Sequence, residues 1–153
     1  MYRETVVVFC NDAVMAVPRK TFPDDFAGLT VGVNLGFLLS DRLMQAAKLG
    51  TVKLESAKNN EANLKKLAGH RIDCFASDRA AARYAARHLV AYFASTGFKL
   101  QEAVELSGED TFIGYSVKSQ PAYRADFIAK MDAALEAMKR NGQLAEIVAE
   151  YLR

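Results

Sequence analysis

Residues 24–78 are predicted to alternate three short apolar strands with two helices, and this order constrains the fold more than any other feature of the chain. The strands fall at 30–33, 51–55 and 72–76. Strands that are joined by helices pair in parallel through right-handed crossovers. An α/β fold is therefore predicted, with a mainly parallel sheet flanked by helices. The two helices have capping residues at their start and glycines at their end, which are Ser40 or Asp41 with Gly50, and Asn60 with Gly69.

The flanking segments continue this pattern. The β-branched run at 4–9 predicts a strand, and the prolines within 11–23 predict a loop or hairpin connection. Further strands are predicted at 103–106 and 112–117, with a turn between them. Additional helices are predicted from Asp78 onward and from Ala125 onward. The helix positions expected to face inward are Leu43, Met44 and Ala47, then Leu64 and Leu67, then Ala81, Tyr84, Ala85, His88, Leu89, Tyr92 and Phe93, and finally Ile128, Met131, Leu135, Met138, Leu144, Ile147, Val148 and Tyr151.

Length and charge exclude several classes of function. The 153 residues are enough for one domain with a hydrophobic core. The net charge is only +2, with acidic and basic residues interspersed, so nucleic acid is not predicted as a partner. The sequence contains no nucleophile–base pair, no phosphate loop and no Cys or His set at metal-ligand spacing. We therefore predict neither an enzyme nor a bound metal or cofactor.

The two cysteines, Cys10 and Cys74, each lie in a predicted apolar strand. A free cysteine in such a strand packs as a small hydrophobic residue, and this is the favoured interpretation. A disulfide between Cys10 and Cys74 is the alternative.

Four segments of the chain follow an order that is typical of one protein family. Residues 25–33 (DFAGLTVGV) are similar to a D-L-x-G-K-x-V-G-V segment. Residues 60–78 (NEANLKKLAGHRIDCFASD) are similar to an n-e-e-n-L-x-x-L-x-x-G-R-v-D-a-f-v-x-D block. Residues 112–119 (FIGYSVKS) and 126–152 are similar to a returning strand and to closing helices. In this order the segments resemble the family 3 extracellular solute-binding proteins, which are the polar amino-acid receptors of ABC importers.

The resemblance implies a periplasmic-binding-protein-like fold of type II, present only in part. Proteins with that fold close two lobes on a ligand, and here most of the first lobe is expected to be absent. Residues 1–153 would form a single domain of the solute-binding type. Residues 24–108 would be the core of the second lobe, and residues 1–23 and 109–153 would supply hinge strands and closing helices.

The resemblance also implies which residues contact a ligand. In the family, the loop that matches Gly36, Phe37 and Leu38 offers backbone N–H groups to the ligand carboxylate. Asp78 matches the acid that pairs with the ligand ammonium, and Asn59 faces the same crevice. The residues themselves allow simpler roles. Gly36 could serve only a tight turn, Phe37 only packing, and Asp78 only the N-cap of the helix that follows it.

The implied function is the binding of a small polar solute, of the amino-acid type, in an interlobe cleft. The partners would be that solute and, for an intact protein, the membrane permease of an ABC importer. A periplasmic location is implied, and it requires a signal peptide upstream because Met1 and the residues after it do not form one. The alternative is a non-enzymatic interaction or assembly module that forms a homodimer through exposed hinge strands and closing helices.

Overall fold

A computed structural model of the protein describes residues 3–37 and 40–152. The chain divides into two compact units. The larger unit spans Glu4–Glu109, and the smaller unit contains Arg3 and the residues from Asp110 onward. None of the helices in the described residues is long and apolar enough to cross a membrane.

Five strands form one mixed sheet in the order β3-β2-β4-β1-β5. Strand β2 is parallel to both β3 and β4, whereas β1 is antiparallel to β4. The α/β fold class is therefore confirmed, and the strand predicted at 51–55 lies at one margin of the sheet as β3. The strands are β1 (Arg3–Cys10), β2 (Thr30–Asn34), β3 (Lys53–Ala57), β4 (Cys74–Asp78) and β5 (Gln101–Asp110).

Seven α-helices are found in the described residues, together with one turn of 3₁₀-helix at Asp24–Phe26. The two helices predicted within residues 24–78 are present, and Leu64 and Leu67 face inward as expected. The short helix α1 replaces part of the predicted loop, because the side chain of Asn11 caps it by accepting from Val14 N. The helices are α1 (Asp12–Met15), α2 (Asp41–Lys48), α3 (Asn60–Ala68), α4 (Arg79–Arg87), α5 (Val90–Thr96), α6 (Arg124–Arg140) and α7 (Gln143–Leu152).

The core of the larger unit lies on both faces of the sheet. Alternation along β1 directs Val6 and Val8 to one face and Val7 and Phe9 to the other. The first face packs against α2 and the 3₁₀ turn, and the second face packs against α3 and α4. Helix α2 connects β2 to β3, and α3 connects β3 to β4, so the two crossovers cover opposite faces. This arrangement creates a switch point at the carboxyl ends of β2 and β4, where such sheets form a crevice.

Cys10 and Cys74 form a disulfide, so the interpretation of both as free cysteines was wrong. The two residues lie directly opposite each other in the antiparallel pair of β1 and β4, with Cα atoms 4.0 Å apart. Both side chains are completely buried. The pairing depends on the register of two strands that are 64 residues apart in sequence, which local patterns do not determine.

Three local predictions differ from the structure. The predicted strand at 112–117 is absent, and β5 continues without a break through the turn predicted at 107–110. β5 lies beside β1, and ladder hydrogen bonds outweigh the weak turn preference of Ser and Gly.

The helix predicted from Asp78 ends at Arg87, and Ala82 and Ala85 face the core while Tyr84 is exposed. On α2 the inward positions are Leu43 and Ala46, not Met44.

The smaller unit contains α6 and α7, and its described residues form no buried core. The predicted stripe of Ile128, Met131, Leu135 and Met138 is the best-covered face of α6, although each of these side chains is only half-buried. Among the described side chains of this unit, none is buried. The amphipathic pattern therefore correctly identifies the inward face of α6, but not how completely it is covered, and it is wrong for Ile147 of α7, which is exposed.

Candidate functional site

The carboxyl ends of β2, β3 and β4 meet at one edge of the sheet, and a cavity of about 350 Å³ opens there. The elements that line it are the end of β2, the loop between β3 and α3, and the outer side of α4. Its lining combines amides, charged groups and aromatic rings. The lining residues are Asn34, Phe37, Lys58, Asn59, Asn60, Glu61, Tyr84, Ala85 and His88.

The loop after β2 begins with a tight turn. Phe37 N donates to Asn34 O at 3.2 Å, and Gly36 has a φ of 80°, a left-handed conformation that glycine adopts readily. Gly36 therefore forms part of a tight turn, which is the simpler of its two predicted roles. Phe37, in contrast, is 64% exposed, so packing alone does not explain its side chain. Leu35 N also donates within the fold, to Ala57 O at 2.9 Å, so two N–H groups of this loop already have acceptors.

Asn59, and not Asn60, is the N-cap of α3. Its Oδ1 accepts from Ala62 N at 3.0 Å, and its extended backbone conformation is typical of a cap. The expectation that Asn60 caps this helix was therefore wrong by one residue. Adjacent asparagines are equivalent as capping candidates in sequence, and only the backbone geometry at the helix start distinguishes them.

Below the cavity, three asparagine side chains form a continuous series of hydrogen bonds, which we call the amide chain (Asn34, Asn60 and Asn63). Asn63 Nδ2 donates to Asn34 Oδ1 at 3.0 Å, and Asn34 Nδ2 donates to Asn60 Oδ1 at 2.5 Å. Asn63 is completely buried beside Gly32, where an added Cβ would lie only 2.6 Å from Asn63 Oδ1. The absence of a side chain at Gly32 thus makes room for the amide chain at the switch point.

Asp78 ends β4 and caps α4. Its Oδ1 accepts from Ala81 N at 2.8 Å, and its Oδ2 accepts from Thr5 N at 3.2 Å. The capping role is therefore confirmed. Each carboxylate oxygen can accept more than one hydrogen bond, so these contacts do not use all the acceptor capacity of Asp78.

The rim of the cavity contains charged and aromatic side chains that the sequence did not single out as ligand contacts. Lys58 and Glu61 flank the cap of α3, and the rings of Tyr84 and His88 contact each other edge to face at 5.0 Å. Asn34 was missed as well. A polar residue at the carboxyl end of a parallel strand is a signal that could have identified it.

Of the predicted site residues, Phe37 and Asn59 line the same cavity. Gly36 shapes the turn next to it, and Asp78 lies at the end of the neighbouring strand β4 without lining it. Leu38 lies outside the described residues. Phe37 also borders a second cavity of about 220 Å³, which is lined by Glu4, Val6, Phe37, Ser40, Asp41, Met44, Ser107 and Glu109.

No family model matches the sequence, and no curated protein matches it. The fold, however, is similar to that of several solved binding proteins. An ancestral arginine-binding protein bound to arginine is 20% identical with a TM-score of 0.61, and the match covers 99% of this chain and 62% of that one. A mutant of ArgBP from T. maritima is 18% identical with a TM-score of 0.65, and the match covers 98% of this chain and 58% of that one.

Two further structures extend the comparison. An arginine transport system periplasmic binding protein from Legionella pneumophila is 20% identical with a TM-score of 0.59, and the match covers 97% of this chain and 61% of that one. An ancestral amino-acid-binding protein, a precursor of cyclohexadienyl dehydratase, is 17% identical with a TM-score of 0.60, and the match covers 99% of this chain and 59% of that one. The similar structures are thus binding proteins, and one of them is an ancestor of an enzyme.

The chain spans 58–62% of the length of these four structures. At 17–20% identity, the similarity is one of fold. The resemblance derived from the sequence segments is confirmed at this level, because the five-stranded sheet and its helices match a partial domain of the periplasmic-binding-protein type.

Proposed function

We propose that the protein is a non-enzymatic solute-binding module whose site is the cavity at the carboxyl ends of β2, β3 and β4. One observation carries this proposal: an exposed aromatic ring, Phe37, borders an open cavity at the switch point of the sheet, and amide and charged side chains line the same cavity. The similar structures include proteins that bind arginine or amino acids, so the proposed ligand is a small polar solute of the amino-acid type.

The predicted site residues have distinct roles in this proposal. Gly36 sets the turn that presents Phe37, and the ring of Phe37 covers the apolar part of the solute. Asn59 contributes to the cavity wall. Asp78 is proposed as the partner of the ammonium group because of the family resemblance; it lies at the end of β4, next to the cavity, and its carboxylate can accept further hydrogen bonds. Leu38 belongs to the proposed site by its place in the loop alone.

The proposed location is the periplasm, and the proposed partner is the membrane permease of an importer. The buried Cys10–Cys74 disulfide supports this location, because disulfides form and persist mainly in oxidising compartments. The Legionella protein of similar fold is described as a periplasmic component of a transport system.

Nuclear magnetic resonance titration of the ¹⁵N-labelled chain with free L-amino acids tests the proposal, because it detects weak as well as tight binding. We expect at least one amino acid to shift the amide signals of Asn34, Phe37 and Lys58 in a saturable way. Phe37→Ala should weaken this binding about tenfold, which corresponds to about 1.4 kcal/mol. Leu35→Ala is the matched control, since Leu35 lies in the same loop, is 71% exposed and does not line the cavity.

Two results would contradict a binding site at this position. The first is the absence of saturable shifts with every amino acid. The second is an equal loss of affinity in Phe37→Ala and Leu35→Ala, because Leu35 touches neither of the cavities next to the loop.

A second candidate function is an assembly module that forms a homodimer. It is favoured by the smaller unit, where Phe112 is 86% exposed, Val117 is 79% exposed and Tyr123 is 67% exposed. Contiguous patches of exposed apolar side chains are typical of interaction surfaces, and these three residues are candidates for such a patch. Light scattering over a range of concentrations tests this function, and a strictly monomeric chain would contradict it.

A further inference from the structure

The orientation of each amide in the amide chain is determined by its neighbour. The first neighbour is the backbone carbonyl of Asn59, which can accept a hydrogen bond but cannot donate one. Asn63 Nδ2 donates to the backbone carbonyl of Asn59 at 3.4 Å as well as to Asn34 Oδ1 at 3.0 Å. The reverse orientation of Asn63 would place its Oδ1 against that carbonyl oxygen, and two acceptors would then face each other. Asn34 therefore presents its Oδ1 to Asn63, while the buried Oδ1 of Asn63 has no hydrogen-bond partner within the described residues.

The same logic determines the orientation of Asn60. With Oδ1 turned toward Asn63, Asn34 presents Nδ2 to Asn60, whose Oδ1 accepts it. Ser77 Oγ, at 3.3 Å, donates to the same Oδ1. Asn60 Nδ2 remains, and it has no hydrogen-bond acceptor in the described part of the chain. Since Asn60 lines the cavity, its two N–H groups are available to a bound solute.

Lys58 adds a positive charge to the same wall. Its side chain lines the cavity and forms no ion pair within the described residues. Lys66 differs, because its Nζ lies 2.8 Å from Glu55 Oε1. An unpaired ammonium and an unused amide donor that line one cavity match the two oxygens of a carboxylate, for which charge-assisted hydrogen bonds are strong.

Glu61 narrows the class of solute further. It lines the cavity immediately after Asn60 and places a negative charge on the rim. This charge repels a second carboxylate and attracts an ammonium group. The wall is thus complementary to a zwitterion and less so to a dicarboxylate.

We propose that Asn60 and Lys58 bind a carboxylate of the solute, so that the cavity selects zwitterionic compounds over amines. This inference rests on the proposed function, and it names the group that the site recognises. In this inference the carboxylate of the solute does not bind at the loop after β2, because the N–H groups of Leu35 and Phe37 in that loop already have acceptors.

The sharpest test is Asn60→Asp. An aspartate has the same shape and still accepts from Asn34 Nδ2 and Ser77 Oγ, but it replaces the free donor with an anionic oxygen. Asn60 is the first residue of α3, where a negative charge favours the helix, so the variant should fold. Ala62→Asp is the matched control, because it adds the same charge to the same helix turn at a residue that does not line the cavity.

The probes are the free L-amino acids and their decarboxylated amines, titrated into the full chain by nuclear magnetic resonance. We expect an amino acid to bind at least tenfold more tightly than its amine. Asn60→Asp should weaken the binding of that amino acid at least tenfold, and Lys58→Met should weaken it threefold to tenfold. Ala62→Asp should change it less than threefold.

The outcomes separate this inference from the proposed function. If an amino acid binds but its amine binds equally well, or if Asn60→Asp matches Ala62→Asp, then the carboxylate assignment is wrong while the solute site stands. If no amino acid binds the wild-type chain, both proposals are wrong.

Discussion

The two units of the molecule differ in how they are stabilised. The larger unit buries large side chains completely on both faces of its sheet, including Phe9, Phe26, Phe75 and Leu64. The smaller unit has longer helices, α6 of 17 residues and α7 of 10, yet none of its described side chains is buried. Because burial of apolar surface is the main favourable term in folding, the larger unit contains most of the stabilising contacts.

This difference also separates the two candidate functions. The proposed solute site is built on strand ends and helix starts whose positions are fixed by a buried core. A binding site needs such rigid support to hold its polar groups in place. The described side chains of the smaller unit are exposed or half-buried, and several of the exposed ones are apolar. Such a surface is better suited to contact with another protein than to recognition of a small solute.

The largest expected difference between the two units is in the stability lost when one phenylalanine of each is replaced by alanine. Phe75 is completely buried, so Phe75→Ala should lower the free energy of unfolding by about 3–5 kcal/mol. Phe127 is 46% exposed and its ring packs edge to face with that of Tyr115, so Phe127→Ala should cost about 0.5–1.5 kcal/mol. Urea unfolding followed by circular dichroism measures both. Equal losses would mean that the smaller unit has a core of its own.

The disulfide should stabilise the larger unit selectively. It links strands β1 and β4 across 64 residues of sequence, and its removal in a Cys10→Ala, Cys74→Ala variant should cost about 2–4 kcal/mol. Native-state hydrogen exchange can follow the two units separately. We expect faster exchange in β1 and β4 and no change in α6. The double variant should be insensitive to reductant, whereas reduction of the wild type should reproduce its stability. Equal acceleration in α6 would show that the units unfold together.

Two glycines test how closely each unit is packed. A Cβ at Gly32 would lie 2.5 Å from Ile72 Cδ1 and 2.6 Å from Asn63 Oδ1, so Gly32→Ala should cost about 1–3 kcal/mol. A Cβ at Gly114, in the smaller unit, would meet nothing within 4 Å. Gly114→Ala should therefore be neutral or stabilise by about 0.4–1 kcal/mol. Thermal unfolding measures both, and a destabilising Gly114→Ala would reveal packing around that residue.

The predictions from sequence were accurate for short apolar strands and for the inward face of α3, and wrong where distant partners determine the structure or where helical spacing placed Met44 and Tyr84 inward. The strands at 30–33 and 72–76 and the inward positions Leu64 and Leu67 were confirmed, because short apolar runs and helical spacing are local signals. The strand at 112–117 was wrong, and so was the break in β5, because the position of β1 in the sheet decides where β5 ends.

The candidate site was only partly predictable for the same reason. Phe37 and Asn59 were identified from the resemblance of the sequence to the solute-binding family, and both line the cavity. Asn34, Lys58 and the direction of the amide chain depend on which residues of β2, α3 and β4 become neighbours. That information lies in the sheet order β3-β2-β4, which brings Ser77 next to Asn60 although they are 17 residues apart.

The smallest expected difference is in the coupling energy of one ion pair from each unit. Arg79 of α4 binds Glu102 of β5 through two of its nitrogens, at 2.6 and 3.0 Å, and these hydrogen bonds raise the pKa of Arg79, so it stays charged. Both side chains are about two-thirds buried, at 33% and 27% exposure. Lys130 and Asp126 of α6 make a single contact of 2.8 Å between side chains that are 77% and 65% exposed.

Double-mutant cycles measure the coupling within each pair. We expect about 1 kcal/mol for Arg79 with Glu102, because the two-point geometry holds both groups in place. For Lys130 with Asp126 we expect about 0.3–0.5 kcal/mol, which is usual for exposed pairs one helical turn apart. Added salt should reduce the second coupling proportionally more, since exposed charges are screened more effectively than half-buried ones. Equal couplings with equal salt dependence would mean that the two units hold their surface side chains equally firmly, although only the larger unit buries a core beneath them.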